Sequence, residues 1–200
     1  MKKPLYLSTT SSLKLKHYQE FFIPSGYEIV PLALDLPELQ SMAVDEVVTQ
    51  KLRLACSLTP LRPLIVDDVG LGIPAFMGFP GAFLKPILER GGLRLLRDLT
   101  SLHTHSCRLD AELVCGIAMA FASPTDPDAS NSFVKLGFMK GTLDFNTNEY
   151  LEDRATVRCF YPEGSTESVA TLSLSDAASG FRHRFHALEQ VLAQLQQNTF

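Results

Sequence analysis

Short apolar runs and helical stripes take turns along this chain. Leu5 to Thr9 is a brief apolar stretch that runs into Thr9-Thr10-Ser11-Ser12. Those hydroxyl side chains are good helix N-caps, and Leu13 to Phe22 has apolar residues at helical spacing, so the pattern predicts strand, polar turn, helix. The helix is expected to close near Pro24-Ser25-Gly26, and Tyr27 to Leu34 reads as a second strand. After the turn Asp35-Leu36-Pro37-Glu38, Val44 to Cys56 is helical, with Val47, Val48, Leu52 and Ala55 on one face. Pro63-Leu64-Ile65-Val66 is an unbroken apolar run, the mark of a strand buried on both faces, and it ends on Asp67-Asp68.

Gly70 to Gly81 reads as a loop punctuated by glycine and proline, and Leu84 to Leu99 as a helix broken at Gly91-Gly92. Arg108 to Ala122 and Phe133 to Leu143 read as strands joined by the Pro/Asp/Ser turn Ser123 to Ser132. Asp144 to Asp153 is expected to be an exposed acidic loop and Ala155 to Tyr161 a last strand. Phe181, Phe185, Leu188, Leu192 and Leu195 mark a C-terminal amphipathic helix. This order predicts an α/β fold with a mixed sheet flanked by helices.

Composition adds limits. Two hundred residues, 46% hydrophobic and without a Pro/Gly/Ser-rich linker, suit one domain over residues 1–200. A net charge of −4 gives no reason to expect a nucleic-acid or anionic-membrane partner. Cys56, Cys107, Cys115 and Cys159 lack CxxC spacing, which argues against a zinc ribbon or redox motif and fits reduced thiols in a cytoplasm. No apolar run reaches the length that spans a bilayer.

Four places are candidates for chemistry. The turn Thr9, Thr10, Ser11, Ser12 with Lys14 presents a helix N-terminus, hydroxyl donors and a cation, suited to a phosphate; it also reads as an ordinary capped helix with a solvated lysine. Asp67 and Asp68 follow a buried strand, where a carboxylate can hold a divalent cation or take a proton from water; they also read as a polar turn. Adjacent strand residues point to opposite faces, so one of the two is expected to face a given cleft. Glu38 is a plausible oxygen ligand, and Lys51 edges an apolar helix face, either binding or snorkelling. Arg182-His183-Arg184 puts cations at a helix N-terminus, which calls for an anion from a ligand or an acidic loop. His103-Thr104-His105-Ser106-Cys107 has metal-binding residue types without partners at familiar spacing, and Gly78-Phe79-Pro80-Gly81 lacks the ending of a phosphate-cradling loop.

Taken in order, these segments resemble one family. Thr9-Thr10-Ser11-Ser12-Leu13-Lys14 is similar to its Thr-x-Asn-x-x-Lys opening, and Asp35-Leu36-Pro37-Glu38-Leu39-Gln40 to its Asp-Leu-Pro-Glu-x-Gln turn. Asp45-Glu46 with Gln50-Lys51, Pro63 to Leu71, and Gly78-Phe79-Pro80-Gly81 with Lys85 resemble the motifs that follow. On these the chain is identified as a diverged member of the inosine triphosphate pyrophosphatases, or non-canonical purine nucleoside triphosphate pyrophosphatases. The likeness is dense from Leu5 to Leu99 and returns at Phe160 to Gly164 and His183-Arg184.

The resemblance implies a two-lobed α/β domain with a long mixed sheet and a cleft between the lobes, working as a homodimer. It implies hydrolysis of a nucleoside triphosphate, by default ITP, dITP or XTP, to monophosphate and pyrophosphate with Mg²⁺. Lys14 and Lys51, helped by Thr9, Thr10, Ser11, His183 and Arg184, would bind substrate. Glu38, Asp67 and Asp68 would serve the metal, and Asp68 would activate water. Where the family has Phe-Gly-Tyr/Trp-Asp-Pro, whose aromatics stack on the base and whose Asp reads its edge, this chain has Arg154-Ala155-Thr156-Val157-Arg158. The family's Glu-Lys-Asn, whose Lys contacts the base, falls near Ala177-Ala178-Ser179, and Ser11 stands for the Asn of the Thr-x-Asn opening. An altered base preference follows, and a nucleotide-binding paralogue without turnover is the alternative expectation.

Overall fold

The computed structural model describes residues 2–37, 39–104, 106–121, 131–146 and 156–197. Strand β1 (Lys3–Ser8), helix α1 (Ser12–Phe22), strand β2 (Tyr27–Leu32), helix α2 (Val44–Leu58) and strand β3 (Leu64–Gly72) make a parallel half. Helical crossovers are what parallel neighbours require. Then come β4 (Pro80–Gly81), α3 (Leu84–His103), the long strands β5 (Arg108–Ala120) and β6 (Ser132–Asp144), and β7 (Phe160–Pro162). Helices α4 (Val169–Ser175), α5 (Ala177–Gly180) and α6 (Arg182–Gln197) close the chain. The sheet order is β2-β1-β3-β5-β6-β7, with β4 on β3; from β3 to β7 each pairing is antiparallel. The mixed α/β architecture expected from the pattern is the one observed.

The period of two along β3 and β5 sorts the core. Ile65 and Ile117 face Tyr18 and Phe22 of α1 and Ala187, Leu188 and Val191 of α6. Val66 and Ala118 face Val44, Val47, Val48 and Leu52 of α2. Further along the sheet, Leu71, Leu113, Met139 and Leu143 pack under α3, Phe160, Val169 and Phe181. Two glycines let helices reach the sheet. A β-carbon at Gly116 would lie 2.7 Å from Val44 Cγ1, and one at Gly137 would collide with the His183 carbonyl and the Ala187 nitrogen. The N-terminus of α6 therefore lies directly on β6.

Three expectations are corrected. Asp67 and Asp68 do not end their strand: β3 runs on to Gly72, because β5 pairs all nine of its residues, Asp67 opposite Ile117 and Asp68 opposite Gly116. On the other edge β1 pairs β3 only at Leu64 and Ile65. Among the described residues, β3 has no partner on that side until Leu71 meets Gly81 of β4. The acids thus sit where parallel pairing stops, at the carboxyl end of β1, which is where open α/β sheets bind ligands. Second, the segment read as a last strand opens with a helical turn, Thr156–Arg158, before three paired residues of β7. Third, α4 and α5 were not anticipated; Ser168 and Asp176 cap them.

The glycine break in α3 is observed, with Gly92 at φ 60° and ψ −168°. Most of the Ser123 to Ser132 turn and of the Asp144 to Asp153 loop lies outside the described residues. Among the described residues no helix is long and apolar enough to cross a membrane.

Candidate active site

Ser11 caps α1, its Oγ accepting from the Lys14 N–H at 3.3 Å, and Thr9 Oγ1 accepts from the Ser11 N–H at 3.1 Å. These hydroxyls set where α1 begins and so where Lys14 emerges. Lys14 Nζ lies 2.6 Å from Asp67 Oδ1 and 3.5 Å from the Asp67 carbonyl oxygen. On the opposite face of β3, Lys51 Nζ of α2 lies 3.3 Å from Asp68 Oδ1. Adjacent carboxylates on one strand diverge, and each meets a lysine from a different helix. Lys51 is buried, so its pairing with Asp68, not snorkelling, describes it.

A second cation closes on Asp67. Arg184 Nε is 3.8 Å from Asp67 Oδ2, and the guanidinium lies 5.7 Å from the Phe181 ring. The anion that the basic start of α6 called for is thus an internal aspartate. Arg184 Nη1 is 2.8 Å from Nδ1 of His17, which is buried in α1 one turn after Lys14. Asp67 Oδ2, Arg184 Nε, His183 Nδ1 and the Tyr18 hydroxyl are buried and have no hydrogen-bond partner among the described residues. Desolvation, then the Arg184 charge, lowers His17 to about 4 and His183 to about 3, so both are neutral at ordinary pH. Burial, then the Asp67 charge, pushes Tyr18 well above its usual value and Cys115 up to about 12.

A cavity of about 360 Å³ opens on this cluster. Lys14, Asp68, Lys85, Glu89, Thr156, His183 and Arg184 supply its polar lining, and Val69, Leu84, Leu88, Leu113, Val157 and Phe181 its apolar wall. A larger concavity of about 760 Å³ crosses the strands at Arg108, Glu112, Lys140 and Asp144. Its charges pair across strands, with Arg108 Nη2 2.6 Å from Asp144 and Lys140 opposite Glu112, and it is lined by no member of the lysine–aspartate pairs, whereas Lys14 and Asp68 line the smaller cavity. The smaller cavity is therefore the candidate site.

Of the residues singled out in the sequence, Lys14, Lys51, Asp67, Asp68 and Arg184 come together through these contacts, and His183 joins the cavity wall. Thr9 and Ser11 serve the turn, and Thr10 is exposed. Glu38 lies outside the described residues. Thr156 and Val157, which the resemblance puts at the place of a base platform, line the cavity, and neither is an aromatic or an acid. Sequence reasoning missed His17, Phe181, Leu84 and Leu88. His17 shares a helical face with Lys14 at the i, i+3 spacing, which was the available signal.

The residues present fit a magnesium ion in one mode only. Among the described residues no group of three His, Cys, Asp or Glu could enclose a metal. Mg²⁺ is commonly held by one or two carboxylates, with substrate phosphates and water completing the shell, and the cavity-facing Asp68 is such a carboxylate.

The fold and the sequence have relatives. A HAM1 protein from Coxiella burnetii superimposes with a TM-score of 0.77 over 98% of this chain and 99% of that one, at 21% identity. The Ham1 protein of Staphylococcus aureus does so with a TM-score of 0.74 over 98% and 100%, at 20% identity. The inosine triphosphate pyrophosphatase of Yarrowia lipolytica is 27% identical over 183 residues, 92% of this chain and 90% of that protein. A dITP/XTP pyrophosphatase of Methanothermobacter marburgensis is 30% identical over 190 residues, 91% and 90% of the two chains. The Ham1 family model matches residues 5–194, the span that holds every residue of the cluster, and the chain belongs to the Ham1 family.

Proposed function

We propose that this chain is a nucleoside triphosphate pyrophosphatase, hydrolysing a (deoxy)nucleoside triphosphate to the monophosphate and pyrophosphate with Mg²⁺. Non-canonical purine nucleotides (ITP, dITP, XTP) are the default substrates, as for the named relatives. The observation that carries the reading is the crossed pairing of two lysines with two adjacent aspartates beside a cavity. Phosphoryl transfer asks for charge neutralisation and alignment above all, and this arrangement supplies both.

Asp68 and, by the resemblance, Glu38 would hold the metal, which would supply positive charge against the phosphate oxygens. Asp68 takes a proton from the attacking water as the new P–O bond forms and pyrophosphate leaves. Lys14 and Lys51 neutralise the charge that develops on the phosphoryl oxygens, and the N-terminus of α1 with Thr9, Thr10 and Ser11 adds donors. Asp67 has its Oδ1 on Lys14 and Arg184 close to Oδ2, so its work is to aim those two cations, with the metal a secondary use. The nucleoside rests against Val157, Leu84, Leu88 and Phe181, with His183 and Arg184 on the same wall. That wall lacks the family's base-reading acid, which supports an altered base preference. The resemblance adds a homodimer, and the scattered cysteines suit a reducing cytoplasm.

The test is pyrophosphate release across a panel of canonical and non-canonical nucleoside triphosphates with Mg²⁺, wild type against Asp68→Asn. Turnover in the wild type and its loss in the variant is expected. Silence across the panel from folded wild type, with nucleotide binding intact by calorimetry, would instead favour a binding paralogue.

A further inference from the structure

We propose that His17 is a positioning residue of the cleft: its neutral imidazole accepts the Arg184 Nη1–H at Nδ1 and so fixes where the guanidinium points. The consequence for turnover rests on the pyrophosphatase reading; the hydrogen bond does not.

The geometry assigns the roles. Arginine has only donors, so at 2.8 Å from Nη1 the His17 Nδ1 must accept, and the ring proton belongs on Nε2. Both partners are buried, His17 at 2% exposure and Arg184 at 5%. Phe181 and Phe185 hold the imidazole from the α6 side, with ring centroids 4.5 and 5.8 Å away. Three of the guanidinium's neighbours are His17 at Nη1, Asp67 near Nε and the Phe181 ring. Two of these come from other elements, and α1 contributes both His17 and the Lys14 that grips Asp67. One helix therefore places both cations that meet Asp67.

The choice of a neutral acceptor also matters for charge. Lys14 and Arg184 share the single carboxylate of Asp67, so one positive charge is left over beside the cavity. His17 holds the guanidinium without cancelling that charge, which stays available to a polyanionic substrate. An ordinary core histidine would need only a partner for its own ring; this one is the hydrogen-bond acceptor of a cavity-lining cation.

The test combines His17→Leu, which keeps bulk and loses the acceptor, with His17→Asn, whose Oδ1 can accept in the position of Nδ1. In His17→Leu kcat/KM for nucleoside triphosphate is expected to fall about tenfold or more, the scale of a buried donor left unsatisfied, mostly through KM. His17→Asn recovers most of it. In an Arg184→Lys background His17→Leu has little further effect, because the two act as one unit. Equal losses in both backgrounds would overturn the proposal. Independently, ¹⁵N spectra of the wild-type histidine rings at pH 7 should show Nδ1 bare and Nε2 protonated for His17. A proton on Nδ1 would overturn the proposal as well. That spectrum decides the matter even if no nucleotide is turned over or His17→Leu does not fold, whereas absence of wild-type turnover counts only against the pyrophosphatase reading.

Discussion

Two parts of one cavity are built on different terms. In the charged part Lys14 and Asp68 line the cavity, and each is held by a partner outside the lining, Asp67 at 2.6 Å and Lys51 at 3.3 Å. In the apolar part, Leu84, Leu88, Val157 and Phe181 offer area and shape with no directed bond among them. A crossed pair of ion pairs tolerates no change of residue type, because losing one partner leaves a charge buried and alone. A packed wall tolerates exchange of one apolar side chain for another of similar volume. The resemblance read in the sequence runs through the charged part, and the departures from it fall on the wall at Thr156 and Val157.

The comparison can be broken or sharpened experimentally. The largest effect is expected from chelation: EDTA should abolish pyrophosphate release and excess Mg²⁺ restore it, and persistent turnover in metal-free protein would remove the ion from the charged part. Asp68→Asn should lower kcat by roughly 10²- to 10⁴-fold, the range for a lost general base, measured on protein shown to be folded. Asp67→Ala strands Lys14 and Arg184 without their carboxylate; a stability loss of about 3–5 kcal/mol is expected in a denaturant titration. A loss under about 1 kcal/mol would mean that the buried pairs are not holding the cleft together.

On the apolar side, Val157→Asp returns an acid to the wall. It should raise the preference for ITP over ATP, measured as a ratio of kcat/KM, by about tenfold. An unchanged ratio would show that the wall at Val157 does not meet the base. A further effect is expected on stability against pH. His17 and His183 have folded values lowered to about 4 and about 3, against an ordinary 6.5 in the unfolded chain. Below that ordinary value the unfolded chain takes up protons that the folded one refuses, so stability is full above about pH 6.5 and falls as the pH drops toward 4. Arg184, Lys16 and Asp67 act on His17, and Arg184, His17 and His186 on His183. Removing both imidazoles (His17→Asn with His183→Asn) should flatten that slope in melts between pH 7 and 4.5.

How far the sequence could be read varied with how local each cause is. The start of α1 was legible because Ser11, just before it, caps an N–H only three residues on, and the break in α3 because Gly91 and Gly92 mark it themselves. The end of β3 was misread for the opposite reason. Asp67, Asp68 and Gly70 look like breakers locally, yet β5, some fifty residues later, pairs each of them. Helices α4 and α5, at seven and four residues, are too short to display a period. His17 looked like one more helix residue until α6 brought Arg184 and two phenylalanines against it.

The residue types and their order were enough to settle that the fold is α/β and that the chain belongs with the pyrophosphatase-like proteins, because period, caps and short motifs act over a few residues. Only the tertiary structure could decide which lysine meets which aspartate, that β3 continues past its acids, and that a histidine steers Arg184. Those contacts join residues that in some cases lie more than a hundred positions apart, and strand register and helix docking, which no local pattern encodes, set which side chains come within bonding distance.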